Sequence, residues 1–128
     1  MSRKKKEKIL VVDDEPDTLE LVKFILEKGG FDVTPALSGE EALNILKKEE
    51  PDLVLLDIMM PKLNGWSVFK KMKGRHKNLK IAFLTIVEVP ESKKRELKRE
   101  GAADYIEKPV MRKEFLKRVK KLVGGVLV

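Results

Sequence analysis

The sequence predicts an α/β layered fold on a five-stranded parallel sheet. Three observations carry that prediction. Apolar runs recur five times along the 128 residues. The first, third and fourth are nearly continuous Ile, Leu, Val and Phe, as in parallel strands covered on both faces. Between the runs lie segments with apolar residues at helical spacing. Strand and helix therefore alternate five times, the order that builds a parallel sheet layered with helices.

The elements follow in chain order. The strand runs are Ile9–Val12, Phe31–Thr34, Leu53–Leu56, Leu79–Thr85 and Ala103–Ile106. The first helix, over 17–28, is expected to place Leu21, Val22, Ile25 and Leu26 on one face, with Gly29 and Gly30 as its stop. The second opens on a capping box, Ser38 to Glu41, ahead of Ala42, Leu43 and Leu46. The third runs from Asn64 and Gly65 to Met72, and the fourth from about Pro90 to Glu100. Only Leu97 is apolar between Glu91 and Glu100, so packing holds this helix weakly and it suits a moving part. The fifth carries Met111, Phe115, Val119 and Leu122 on one stripe. The domain is expected over 8–123, between a basic tail at 1–7 and a short apolar tail at 124–128.

Composition narrows the chemistry. Cys is absent, which excludes disulfides, thiolate metal sites and a cysteine nucleophile. The single His excludes a His-cluster metal site. No apolar run reaches the roughly 20 residues of a membrane span. The four apolar residues between Lys8 and Asp13 are too few for a secretion signal, so a cytoplasmic protein is expected. Abundant Lys and Glu, without Gln, match proteins from hot habitats. The net charge of +7 is uneven: residues 1–64 sum to −4 and residues 65–128 to +11. This predicts an acidic site in the first half and a basic outer face in the second.

Ligands of open α/β sheets bind beyond the carboxyl ends of the strands. There the sequence puts Asp13 and Asp14 after the first strand, Asp57 after the third, Thr85 ending the fourth and Lys108 after the fifth. Taken singly, each has a plain structural explanation. Asp14 would cap a helix, Asp57 would sit in a turn, Thr85 is a common strand residue, and Lys108–Pro109 is an ordinary loop. Their recurrence at one end of four strands is the signal. Clustered carboxylates repel one another unless a cation joins them. With oxygen ligands alone the natural cation is Mg²⁺. Mg²⁺ together with Lys suits a phosphoryl group, and a carboxylate in such a site is able to be its acceptor. Asp57, alone on the central strand, is the best candidate, with Asp13 and Asp14 as metal holders.

Four motifs, Ile9-Leu10-Val11-Val12-Asp13-Asp14-Glu15, Leu55-Leu56-Asp57-Ile58-Met59-Met60-Pro61 with Gly65, Thr85, and Gly101-Ala102-Ala103-Asp104-Tyr105 with Lys108-Pro109, resemble those of the response-regulator receiver domains of two-component signalling. The likeness covers about residues 8–122. It implies a flavodoxin-like (βα)5 fold, doubly wound, with strand order 2-1-3-4-5. It implies that Asp57 accepts a phosphoryl group from the phosphohistidine of a sensor histidine kinase. Asp14, Asp57 and the carbonyl of Met59 would bind Mg²⁺, and Asp13 would act through a metal-bound water. Lys108, with a cis bond to Pro109, would contact the phosphoryl oxygens. Thr85 would swing toward the phosphoryl group and Tyr105 would follow it inward. The face of the fourth helix, fifth strand and fifth helix would then take a target, or a second copy in a phosphorylation-dependent dimer. Such a domain is regulatory, catalysing only its own phosphorylation and slow dephosphorylation, whether it stands alone or belongs to a larger regulator.

The chain departs from that family where a small residue usually follows the Thr: Ile86 stands there, and Met59, two past Asp57, and Val87, two past Thr85, are both apolar. Apolar groups at these places cannot orient an attacking water, so slow self-dephosphorylation is expected. His76 is expected to be a solvated loop residue and Trp66 a packed one. Two other functions compete. One is a receiver fold that serves only as an interaction module and is never phosphorylated. The other is a basic nucleic-acid-associated domain; no aromatic–basic interleaving or recognition helix supports it. A haloacid-dehalogenase-type phosphatase needs a second Asp where Met59 stands, and no Gly-rich phosphate loop exists for a nucleotide hydrolase.

Overall fold

A computed structural model describes residues 6–58, 65–85, 90–108 and 112–124. Five strands, β1 (Lys8–Val12), β2 (Asp32–Ala36), β3 (Leu53–Leu56), β4 (Ile81–Thr85) and β5 (Asp104–Glu107), alternate with five helices. The helices are α1 (Pro16–Lys28), α2 (Gly39–Leu46), α3 (Gly65–Arg75), α4 (Glu91–Arg99) and α5 (Arg112–Gly124). Every strand pair is parallel and the order is β2-β1-β3-β4-β5, as the resemblance implied.

The continuous apolar runs follow from two-sided burial. β3 and β4 are buried at every residue. Their side chains alternate between two cores because successive strand residues point to opposite faces. Leu10, Val12, Val54, Leu56, Ile81 and Phe83 face α2, α3 and α4. Ile9, Val11, Leu53, Leu55, Ala82 and Leu84 face α1 and α5. The chain steps from β1 outward to β2, then returns past β1 to lay down β3, β4 and β5. The crossovers diverge between β1 and β3, which opens a crevice beyond their carboxyl ends.

Element ends differ from expectation by a few residues. Asp32–Ala36 forms β2, with Pro35 inside it. Proline is tolerated because β2 is an edge strand. β4 starts at Ile81 and β5 at Asp104, and α3 extends to Arg75. Asn64, Met111 and the tails 1–5 and 125–128 lie outside the described residues. Glu7, placed in the tail by the sequence, accepts the Asp32 amide through its carbonyl. Leu21 is a correction: it is 56% exposed, and Leu19 takes the buried position with Val22, Ile25 and Leu26. The sheet meets the stripe through 19, 22, 25 and 26, one position around from the stripe through Leu21. Asp14 does not cap α1; the Glu15 carboxylate accepts the Asp17 amide, with Pro16 opening the helix. Gly30, at φ +95°, turns the chain into β2. Ser38 caps α2 as expected, its hydroxyl accepting from Glu41, while Glu41 reaches the amide of Leu37 rather than that of Ser38. No helix among the described residues is long and apolar enough to cross a membrane.

α4 is the least anchored helix. Leu97 is its single buried residue, set among the core side chains that include Tyr105. Truncating a buried Leu removes ~2–5 kcal/mol. Leu97→Ala is therefore expected to lower the urea midpoint and to raise amide hydrogen exchange across α4 far more than across α1. Uniform exchange gains would show that α4 is held as firmly as the rest.

Candidate functional site

The crevice is built by backbone register. The Asp13 amide donates to Ala36 at 3.1 Å and the Asp57 amide to Val12 at 3.0 Å. These bonds extend the β1–β2 and β1–β3 ladders one residue past the strands and set both carboxylates at the sheet's edge. The Lys108 amide donates to the Thr85 carbonyl at 2.8 Å, which fixes the lysine stem beside β4. Gly65 closes the site from the side of α3. A Cβ there would lie 2.5 Å from the Ile58 Cα and 2.6 Å from the Asp57 carbonyl, so only glycine lets α3 start against this backbone.

Asp13 and Asp57 are buried, at 3% and 7% exposure, and Asp14 is half-buried. One oxygen from each of Asp13, Asp14 and Asp57 lies within 4.8 Å of the others. Lys108 Nζ lies 2.5 Å from Asp13 Oδ2 and 3.5 Å from Asp57 Oδ2. The other Asp13 oxygen accepts the Glu15 amide at 3.0 Å, which orients the carboxylate. Three carboxylates facing one ammonium leave a formal charge of −2. This oxygen-rich set fits a hard divalent cation such as Mg²⁺. Here the structure joins Asp13, Asp14, Asp57 and Lys108, residues up to 95 positions apart, as the sequence anticipated.

Thr85 ends β4 fully buried, and Tyr105 is 5% exposed on β5. The Tyr105 ring already points inward, 6.1 Å from Phe83. The Phe83 ring also lies 5.1 Å from Trp66 and from Phe69, so Trp66 is packed as expected. Met59, Ile86, Val87 and Pro109 lie outside the described residues. His76 is half-buried just after α3, its amide donating to Met72.

Sequence reasoning missed Lys94. Its ammonium lies 5.7 Å from the centre of the Tyr105 ring and 3.1 Å from Glu107 Oε1. The hydrogen bond to Glu107 raises its pKa, with the charges of Glu107 and Glu91 adding to it. Its neighbour Lys93 lies over Trp66. Consecutive lysines of α4 thus cover the rings on either side of Phe83. No local pattern signals this, because a lysine on a polar helix looks solvated until its partners on β5 are known.

The family model of the response regulator receiver domain matches residues 9–120. The chain is 41% identical over 116 residues to the alkaline phosphatase synthesis transcriptional regulatory protein PhoP of Bacillus subtilis, covering 91% of this chain and 48% of that one. The probable transcriptional regulator ycf27 of Porphyridium aerugineum is 40% identical over 94% of this chain and 50% of its own. The chain spans about half the length of these curated relatives. Among solved structures, a CheY-like receiver domain protein of Methanospirillum hungatei superposes with a TM-score of 0.85 at 30% identity, covering 94% of this chain and 96% of that one. The response regulator TrrA of Thermotoga maritima, in complex with Mg²⁺-BeF, gives 0.79 at 37% identity, covering 91% and 98%.

Burial, then the charges of Glu107 and Asp57, push the Tyr105 hydroxyl up to about 12 from 10.0. The folded state therefore disfavours the phenolate. Its stability is expected to fall as pH rises from the unfolded pKa of 10.0 toward about 12. Tyr105 is the only tyrosine, so ultraviolet difference titration reads it directly. A midpoint near 10 in the folded protein would place the hydroxyl in solvent.

Proposed function

The chain belongs to the response regulator receiver domain family, and on that premise we propose that it is a cytoplasmic switch phosphorylated on Asp57 by a sensor histidine kinase. The observation that carries this reading is the convergence of Asp13, Asp14 and Asp57 within 4.8 Å, with Lys108 between two of them. An Asp57 oxygen attacks the phosphorus of the phosphohistidine. A P–O bond forms, the P–N bond breaks, and the imidazole leaves with the bonding pair and takes up a proton. Mg²⁺, held by Asp14, Asp57 and the Met59 carbonyl, with Asp13 acting through water, would neutralise charge on the phosphoryl oxygens. The Mg²⁺-BeF complex of TrrA supports this assignment.

The chain's own residues do the rest. Lys108 already bridges Asp13 and Asp57, so a phosphoryl group on Asp57 would draw its ammonium onto the new oxygens. The Thr85 hydroxyl is the donor at the end of the adjacent strand that would turn toward them. Tyr105 is already inward, so the change it reports would pass to Lys94 and α4 rather than end in burial of the ring. Added charge tips a weakly held element, and α4, with one apolar anchor, is that element. The face of α4, β5 and α5 would then receive the target. The apolar residues Met59, Ile86 and Val87 support a slow loss of the phosphoryl group.

Incubation with Mg²⁺ and a small phosphodonor is expected to add one phosphoryl group by intact mass. The adduct should be absent in Asp57→Ala and without metal. An unmodified chain both as wild type and as Ile86→Ala, which removes the branched side chain expected to narrow the donor's entry, would favour the interaction-module reading. Mg²⁺ binding, followed by Trp66 fluorescence, is expected to weaken at least about tenfold in Asp14→Ala. Unchanged affinity would remove Asp14 from the metal site.

A further inference from the structure

Taken over their whole lengths, α4, β5 and α5 carry eleven basic and five acidic side chains, a net +6 of the chain's +7. Their charge is not evenly paired. Toward the carboxyl end of β5, Lys94 is met by Glu91 and Glu107. At the other end of β5, about 10 Å away at ~3.3 Å per residue, a cleft of 440 Å³ opens among Lys80, Lys98, Asp104, Arg118, Lys121 and Leu122. Its single carboxylate among the described residues, Asp104, is already gripped by Arg118 through bonds of 2.9–3.2 Å. Lys80 Nζ donates to the Leu122 carbonyl, which holds the partly buried Leu122 at the cleft wall. Among the described residues no carboxylate pairs with Lys98 or Lys121, and both are exposed.

We propose that this cleft anchors an acidic segment of a partner protein, with Lys98 and Lys121 as the charge-reading residues and Leu122 as an apolar foothold. The proposal rests on the reading of α4–β5–α5 as the target face and names the chemistry of what docks there. A second copy presenting the same cleft would set four basic side chains and one acidic one, a net +3, against the same +3, which opposes isologous pairing through it. Nucleic acid fits less well. Glu91, Glu96, Glu107 and Glu114 interrupt the basic surface, where a phosphate backbone needs a continuous positive track. The nearby Tyr105 ring is buried and cannot stack on a base. An acidic protein segment places its carboxylates individually and tolerates such gaps.

The test is fluorescence anisotropy of a short fluorescein-labelled peptide of glutamates and leucines, on the full chain, with and without Mg²⁺ and phosphodonor, at fixed ionic strength. Lys98→Glu with Lys121→Glu is expected to weaken binding about tenfold or more. Lys47→Glu with Lys48→Glu, the same change of net charge at the exposed end of α2, should leave it nearly unchanged. Should melting show the first pair misfolded, Lys98→Ala with Lys121→Ala must give the same direction. Absence of binding, equal losses in both reversals, or tighter binding of a labelled DNA duplex under the same salt would overturn the proposal. Repeating the series in Asp57→Ala separates the two readings. A loss specific to Lys98 and Lys121 in that background supports the surface even where phosphorylation itself has failed.

Discussion

Three carboxylates within 4.8 Å of one another would push one another apart without a positive charge among them. The ammonium of Lys108 meets that demand for Asp13 and Asp57 directly. Its place depends on the whole sheet. β1 must end just before Asp13, β3 just before Asp57, and β5 must pair with β4 so that the Lys108 amide reaches Thr85. A slip of one residue in any strand would reverse every side chain between the two cores and carry the charged group out of the crevice. Apolar packing of ten elements is thereby coupled to the position of four ionic side chains.

The same sheet separates two electrostatic environments. The crevice beyond β1 and β3 is acidic and suits a dication and a phosphoryl group. The outer edge at β5, flanked by α4 and α5, is basic and suits an anionic protein surface. α4 lies between them. Its buried Leu97 contributes roughly 1.5–3 kcal/mol of apolar transfer, whereas its exposed ion pairs and ring contacts add little. A helix held that lightly shifts under modest changes in charge. Lys94 is placed to feel them, since it touches both the Tyr105 ring and Glu107, the residue before Lys108. The aromatic cluster around Phe83 gives the crevice side of the sheet a firm core, so any displacement is expected in α4 rather than in the strands beneath it.

Much of this was legible from residues alone. The strands were visible because burial on both faces demands unbroken apolar runs. The site was visible because α/β sheets expose only their strand ends to ligands, and Asp13, Asp14, Asp57 and Lys108 all fall there. Less legible was the facing of α1. Leu19, Leu21, Val22 and Phe24 offer two apolar stripes, and only contact with the sheet selects the one containing Leu19, leaving Leu21 and Phe24 exposed. The cap of α1 was not legible either: Asp14, taken singly, was the expected cap, but Asp14 joins the carboxylate cluster and Glu15, also able to accept an amide, takes the cap.

The sequence by itself determined the alternation of strands and helices, the acidic cluster with its lysine, and the bias of positive charge toward the second half. These are properties of residue type and spacing along one chain. Tertiary structure decided which lysines meet a carboxylate among the described residues, that Tyr105 lies inward under Lys94, and that Lys98 and Lys121 share a cleft with Arg118. Those outcomes depend on distances between α4, β5 and α5, which their packing on the sheet sets and no local pattern encodes.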